Sequence, residues 1–270
     1  MKTALCLFGL VGNIKGKAGK HSSDNELLEL CYKHYKEHIL DKNDIDVFIH
    51  TWDIQFKDRI LELYKPKDSI FEKQIQFKTP DYIKSNKLRK NNHYSRWYSA
   101  WKSVCLKYRF ERMFKFKYDM VMSSRFDQTW ETDVVFEKFD PQYFYAGHWC
   151  ELFDMVGRVF SAGQGPLYKW IKEGRDISDL KHSHYTKENK GLVDHWFFSN
   201  SKYMDKFHTL FLHLDEYLKD PEASKNGKIS NHALAPYHLK KIGLWDKLKF
   251  VFHFFDDFPL ARRKYFGVIE

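Results

Sequence analysis

Near the middle of the chain, the run Lys117-Tyr118-Asp119-Met120-Val121-Met122-Ser123-Ser124-Arg125-Phe126-Asp127 holds the residues best suited to chemistry. A short apolar stretch, Met120 to Met122, gives way to Ser-Ser-Arg-Phe-Asp. That is the pattern of a buried strand carrying polar groups out at its carboxyl end. Arg125 and Asp127 stand two residues apart, so an extended segment projects both to one face. The arginine offers a planar fork for phosphate oxygens, and the aspartate offers a hard oxygen ligand for Mg²⁺ or Mn²⁺. The plainer alternative is a strand end closed by a surface Arg–Asp pair.

Two further groups of residues could join them. Residues 3–8 read as a first strand, followed by Gly9-Leu10-Val11-Gly12-Asn13-Ile14-Lys15-Gly16-Lys17. Glycines let backbone N–H groups approach a ligand, so Gly9, Gly12 and Asn13 are candidates for a phosphate or nucleotide cradle. The spacing matches neither the dinucleotide fingerprint nor the P-loop, and a flexible connector is the alternative. Residues 94–115 form the strongest helix, with an apolar stripe that includes Trp97, Ala100, Trp101, Val104 and Met113. A helix leading into a parallel strand runs antiparallel to it, which sets its first turns at the ligand edge. Ser99 and Lys102, with Ser95, fall one turn apart there and are candidate nucleotide contacts; a solvated helix face is the competing explanation.

The elements that must position these residues alternate between short apolar strands and amphipathic helices, which argues an α/β fold. Strands are expected at 45–53, 143–149 and 192–201, a helix after Asp24 and another after Ser201, and charged, loop-rich chain over 57–92. With 270 residues, 18% of them aromatic, the chain can bury a real core and is not a disordered one. Lys and Arg outnumber Asp and Glu by 45 to 36, spread along the chain, which favours anionic ligands over a nucleic-acid arm. Cys6, Cys31, Cys105 and Cys150 lie far apart, so neither a zinc site nor a disulfide framework is indicated, and reduced cytoplasmic thiols are expected. The opening residues read as a strand rather than a secretory leader, and no run approaches the roughly 20 apolar residues of a spanning helix.

The order of the pieces is informative: D-V-F-I-H-T-W-D at 46–53, Y-S-R-W-Y-S-A-W-K-S at 94–103, Y-D-M-V-M-S-S-R-F-D at 118–127, V-D-H-W-F-F-S-N-S-K-Y-M-D-K-F at 193–207 and S-N-H at 230–232. It resembles GT-A-type, nucleotide-sugar-dependent glycosyltransferases, particularly those of bacterial surface-polysaccharide loci and of large phages and viruses. The resemblance implies a single Rossmann-like domain over 1–270, with a mostly parallel central sheet flanked by helices and a C-terminal helical segment. Residues 1–130 would be the nucleotide-binding half and 131–270 the donor-sugar and acceptor half. S-R-F-D stands where the family carries D-x-D. This makes Asp127 a metal or diphosphate carboxylate and Arg125 a nucleotide contact, with the arginine partly replacing the charge of Mn²⁺ or Mg²⁺.

By the same resemblance, Asp194 and His195 line the reaction centre, Asp194 either as general base or holding a donor-sugar hydroxyl. His232 matches a late histidine on the metal or diphosphate, and Arg262 neutralises diphosphate. The implied partners are a UDP- or GDP-linked sugar and a glycan or glycolipid acceptor, without nucleic acid. Trp245 to Phe266 either docks on anionic lipid or packs on the core through its aromatic face. A non-catalytic nucleotide- or carbohydrate-binding domain on the same fold is the alternative function.

Overall fold

The computed structural model describes residues 1–12, 25–85, 87–148, 151–153, 159–161, 181–182, 192–225, 228–254 and 257–266. Asn13 and Cys150 lie outside the described residues. The apolar runs become one seven-stranded sheet: β1 (Lys2–Gly9), β2 (Asp44–Thr51), β3 (Asp68–Phe71), β4 (Met120–Arg125), β5 (Phe144–His148), β6 (Val193–Ser199) and β7 (Leu248–His253). Their spatial order is β3-β2-β1-β4-β6-β5-β7. β1 pairs in parallel with β2 and β4, β2 with β3, and β5 with β7. β6 alone runs antiparallel, to both β4 and β5.

α1 (Asn25–His38) connects β1 to β2, α2 (Lys57–Tyr64) connects β2 to β3, and α3 (Lys87–Phe114) leads into β4. α4 (Ser201–His208) and α5 (Asn231–Lys241) complete the α3 layer. Strand alternation divides the core between two faces. Leu5, Leu7, Met120 and Met122 pack with Leu28 and Tyr35 of α1, while Cys6, Phe48 and Val121 pack with Trp97 and Val104 of α3. From β1 the chain steps outward to β2 and β3, then returns to lay β4 on the other side of β1. The order therefore reverses between β1 and β4, the position where open α/β sheets form a ligand crevice at their carboxyl edge.

Three expectations change. The stretch 57–92 carries a helix and a strand as well as loops, since Ile60 and Tyr64 fall one turn apart and bury together. Among the described residues the C-terminal segment carries β7, a short 3₁₀ turn at Trp245–Lys247 and a one-turn helix at Ala261–Lys264. In Leu248-Lys249-Phe250-Val251 the side chains suit a pleated edge, with Leu248 buried and Lys249 exposed. α3 differs too. Asn91, Ser95, Ser99, Ser103, Lys107 and Glu111, four residues apart, are all buried, so this helix turns a polar row inward. Lys107 is neutralised there by Glu111 (3.1 Å) and Asp205 (2.5 Å).

Candidate active site at the carboxyl edge

At the end of β1, Gly9 takes φ +93° and its N–H donates to Ser99 Oγ (2.8 Å). Ser99 Oγ lies 2.7 Å from His50 Nδ1, and His50 Nε2 lies 2.7 Å from Glu72 Oε1. The sequence of contacts is that of a nucleophile–base–acid relay. Yet Ser99 is 0% exposed, and its hydroxyl also donates to the His50 carbonyl (3.1 Å). It therefore fastens β1, β2 and α3 together and does not face a ligand. Burial lowers the His50 pKa, although the contact with Glu72 opposes the shift. Lys102 rests its ammonium 5.3 Å from the ring centres of both Tyr98 and Trp101, on the flank of α3 nearest His50. Beyond Gly9, the Val11 N–H donates to Asp53 Oδ2 (2.6 Å), which fixes the path of the loop.

That path brings Gly12 against Asp127. Gly12 has φ +109°, and a Cβ there would stand 2.8 Å from Leu27 Cδ2, closer than real contacts, and 3.1 Å from Asp127 Cβ, tighter than most. Asp127 itself is clamped. Arg125 donates from Nε to Oδ1 (2.8 Å) and from Nη2 to Oδ2 (2.6 Å), and Arg262 Nη1 reaches Oδ2 at 3.2 Å. Arg262 arrives because residues 257–266 run beside the end of β4. The Ala261 N–H donates to the Asp127 carbonyl, the Thr129 N–H donates to the Pro259 carbonyl, and Gln128 bridges to Leu260. Asp127 is closed off with 3% of its side chain exposed, whereas Arg125 keeps 26% and opens to solvent.

This donor set does not fit a Mg²⁺ or Mn²⁺ site. A hard divalent cation needs carboxylate oxygens to itself, and here both oxygens accept from guanidinium groups. Among the described residues no group of three or more His, Cys, Asp and Glu side chains converges.

Asp194 reaches the same edge because β6 is antiparallel, so its first residues lie beside the last residues of β4 and β5. The pairing with β5 jumps here: adjacent Ala146 and Gly147 face Phe197 and Val193. On the β5 side Asp194, His195 and Trp196 fall between those two partners, while Trp196 stays paired with Ser124 of β4, and such a bulge re-aims side chains. Asp194 turns toward α3, where Arg96 Nε lies 2.8 Å from Oδ2, an ion pair without hydrogen-bond alignment. Arg96 also donates from Nη2 to the Asp194 carbonyl, and its guanidinium lies over the rings of Trp97 (4.1 Å) and Phe8 (5.2 Å). Asn231 Nδ2 donates to Asp194 Oδ2 at 2.8 Å.

Burial by itself raises the Asp194 carboxyl, but Arg96, then His232, His195 and Arg125, hold it far below the usual carboxylate range. Burial meanwhile pushes Arg96 down to about 10 against the pull of Asp194. A carboxylate so fixed accepts hydrogen bonds and stays ionised. His195, on the other side of the bulge, packs on Phe254 (5.1 Å) and is 7% exposed. His232 sits 2.7 Å from the Leu192 carbonyl and 3.8 Å from Asp194.

Arg96, Asn231 and His93 join the site without any sequence signal of their own. Asn231 Oδ1 accepts from Trp97 Nε1 (3.0 Å), so its Nδ2 is the atom facing Asp194, and His93 Nδ1 (2.6 Å) must be the protonated ring nitrogen. Arg96 and His93 fall three residues apart on α3 and look like any solvated pair until the bulge in β6 meets them. The chain matches no protein-family model and no curated protein. The geometry of this edge therefore carries the functional reading.

Proposed function

We propose that the chain is a glycosyltransferase of GT-A type that moves a sugar from a UDP- or GDP-linked donor to a hydroxyl of a glycan or glycolipid acceptor. The carrying observation is the convergence at one topological switch point of the Gly9–Gly12 turn, the Arg125–Asp127–Arg262 clamp and Asp194. A mostly parallel sheet with one antiparallel strand beside β4 accords with that fold. When the anomeric carbon–diphosphate bond breaks, negative charge grows on the leaving group, and the partly exposed guanidinium of Arg125 is the cation nearest solvent in the clamp. Asp194, held ionised by Arg96, lies within electrostatic reach of Arg125. There it orients donor hydroxyls and favours the positive character that develops on the sugar.

A second reading, a non-catalytic nucleotide- or carbohydrate-binding domain, draws on one observation: protein donors already engage both Asp127 and Asp194. Titration with UDP and GDP, followed by incubation with UDP- and GDP-sugars, separates the two. Saturable binding with release of nucleoside diphosphate supports transfer, and binding without release supports the second reading. Absence of binding under every metal condition removes both.

A further inference from the structure

We infer that the carboxyl-terminal tip of α3 docks on an anionic lipid surface, with Met113 and Phe114 entering the headgroup layer and Arg112 and Lys115 meeting its charge. These four residues are consecutive and all exposed. Met113 is 67% and Phe114 58% exposed, far more than an apolar side chain on a packed helix needs to be. The tip is also rigid. The Phe116 N–H donates to the Glu111 carbonyl (3.2 Å) and Phe116 packs on Phe110 (6.1 Å between ring centres), which together make a Schellman cap. Its turn residue is Lys115, at φ +55°, the left-handed position that glycine ordinarily fills. A lysine there carries backbone strain and sets a cation beside the exposed pair. Phe110 lies against Phe48 (5.5 Å) and Phe114 (4.5 Å), so the exposed ring is braced from the core.

Charge decides the occupant. Arg109 pairs with Asp68 (2.5 Å) and Lys117 with Glu111 (2.7 Å), while among the described residues no ion pair engages Arg112 or Lys115. A second copy of the chain would bring like charges together at this tip. Two apolar side chains also present far less than the roughly 800 Å² per partner of a stable protein interface. An anionic headgroup layer matches both cations and admits both apolar side chains. Neither part suffices alone, since even a myristoyl chain binds a bilayer only marginally, so adhesion falls as salt screens the cations. The tip stands at the amino edge of the sheet, where Phe116 lies 4.2 Å from Lys2 Nζ at the start of β1. Docking there turns the carboxyl edge, with Arg125 and Asp194, away from the bilayer. The inference is independent of the nucleotide-sugar reading.

The test is flotation of the full chain at low salt with vesicles of phosphatidylcholine, alone or with about one-third phosphatidylglycerol. Binding to the mixed vesicles and not to phosphatidylcholine alone is expected. The double substitution Arg112→Gln and Lys115→Gln should weaken it by about tenfold or more. Met113→Ser with Phe114→Ser keeps every charge and should also weaken it by about tenfold. Met113→Ser alone, at the more exposed position, serves if that pair folds poorly, and it should give part of the loss. Lys33→Gln with Lys73→Gln removes the same charge from exposed positions on α1 and after β3, and should change binding by less than about threefold. Binding that the serine substitutions leave unchanged overturns the inference, as does a loss from the distant lysine pair equal to that from Arg112 and Lys115. Absence of binding to anionic vesicles overturns it outright, and a dimer in solution that Phe114→Ser dissociates would give the tip to a second copy instead.

Discussion

At Gly9 and Gly12 the same backbone geometry has different consequences. Both residues take positive φ, but a Cβ on Gly9 meets nothing within 4 Å, whereas one on Gly12 strikes Leu27 and Asp127. Gly9→Ala should therefore cost only the left-handed strain, about 1 kcal/mol, while Gly12→Ala adds overpacking and should cost about 2–4 kcal/mol in chemical denaturation. Equal losses at the two positions would mean that the loop yields at Gly12. The two acids also separate. Asp194→Asn removes the partner of a buried arginine, so a stability loss of about 3 kcal/mol or more is expected, with UDP or GDP affinity largely kept. Asp127→Asn should weaken nucleotide binding first, because it frees the two arginines from their shared anchor. Paired melting and titration curves of the two variants check this, and a nucleotide affinity lost equally in both would merge their roles.

Among the elements, α4 and the C-terminal segment are held by features that can be tested directly. His208 of α4 is buried, with Nδ1 donating to the Met204 carbonyl (3.0 Å) and Nε2 accepting from Ser123 Oγ (2.9 Å), which ties α4 to β4 in the neutral form. Burial drives its pKa down to about 3, and drives His93 and His238 to about 4. Unfolded histidines bind protons near pH 6.5, so the unfolded state takes up more protons below that value. Stability from these groups is complete above about pH 6.5 and is lost as pH falls toward about 4. Melting temperature should be level from about pH 7 upward and decline below about 6.5, and His208→Gln should flatten part of that decline. A profile level to about pH 4 would exclude neutral buried histidines. In the C-terminal segment, Phe258 packs on Trp196 (5.2 Å) and Trp130 (5.8 Å) and fills the space beside Gly147. Phe258→Ala should cost about 3–5 kcal/mol and weaken nucleotide binding as well, since Arg262 follows closely in the same segment. Unchanged nucleotide affinity would show that Arg262 is placed independently of that ring.

Over the whole molecule the net charge is +9, and near the C-terminus the exposed aromatic among the described residues is Tyr265, whose hydroxyl donates to Glu131. Phe254, Phe258, Leu260 and Ala261 are buried, and among the described residues no helix is long and apolar enough to cross a membrane. Adhesion to anionic vesicles should therefore be electrostatic, present at low ionic strength and gone by about 0.5 M salt, where screening reaches only a few ångströms. Flotation that survives that salt would require apolar insertion. The strands and helices that build the edge were legible in the sequence because burial imposes a period of two or 3.6 that survives without tertiary context. The Arg125–Asp127 pair was legible for the same reason, as polar residues that interrupt a buried run. Tertiary structure decided the rest. Ser95 and Ser99 sit at helical spacing whether they face a ligand or the sheet, and only the packing of α3 turned them inward. The reach of Arg262 across 135 residues to Asp127, and the bulge that turns Asp194 onto Arg96, depend on strand order and register. Local patterning leaves both undetermined, because the contacts join residues that no sequence period relates.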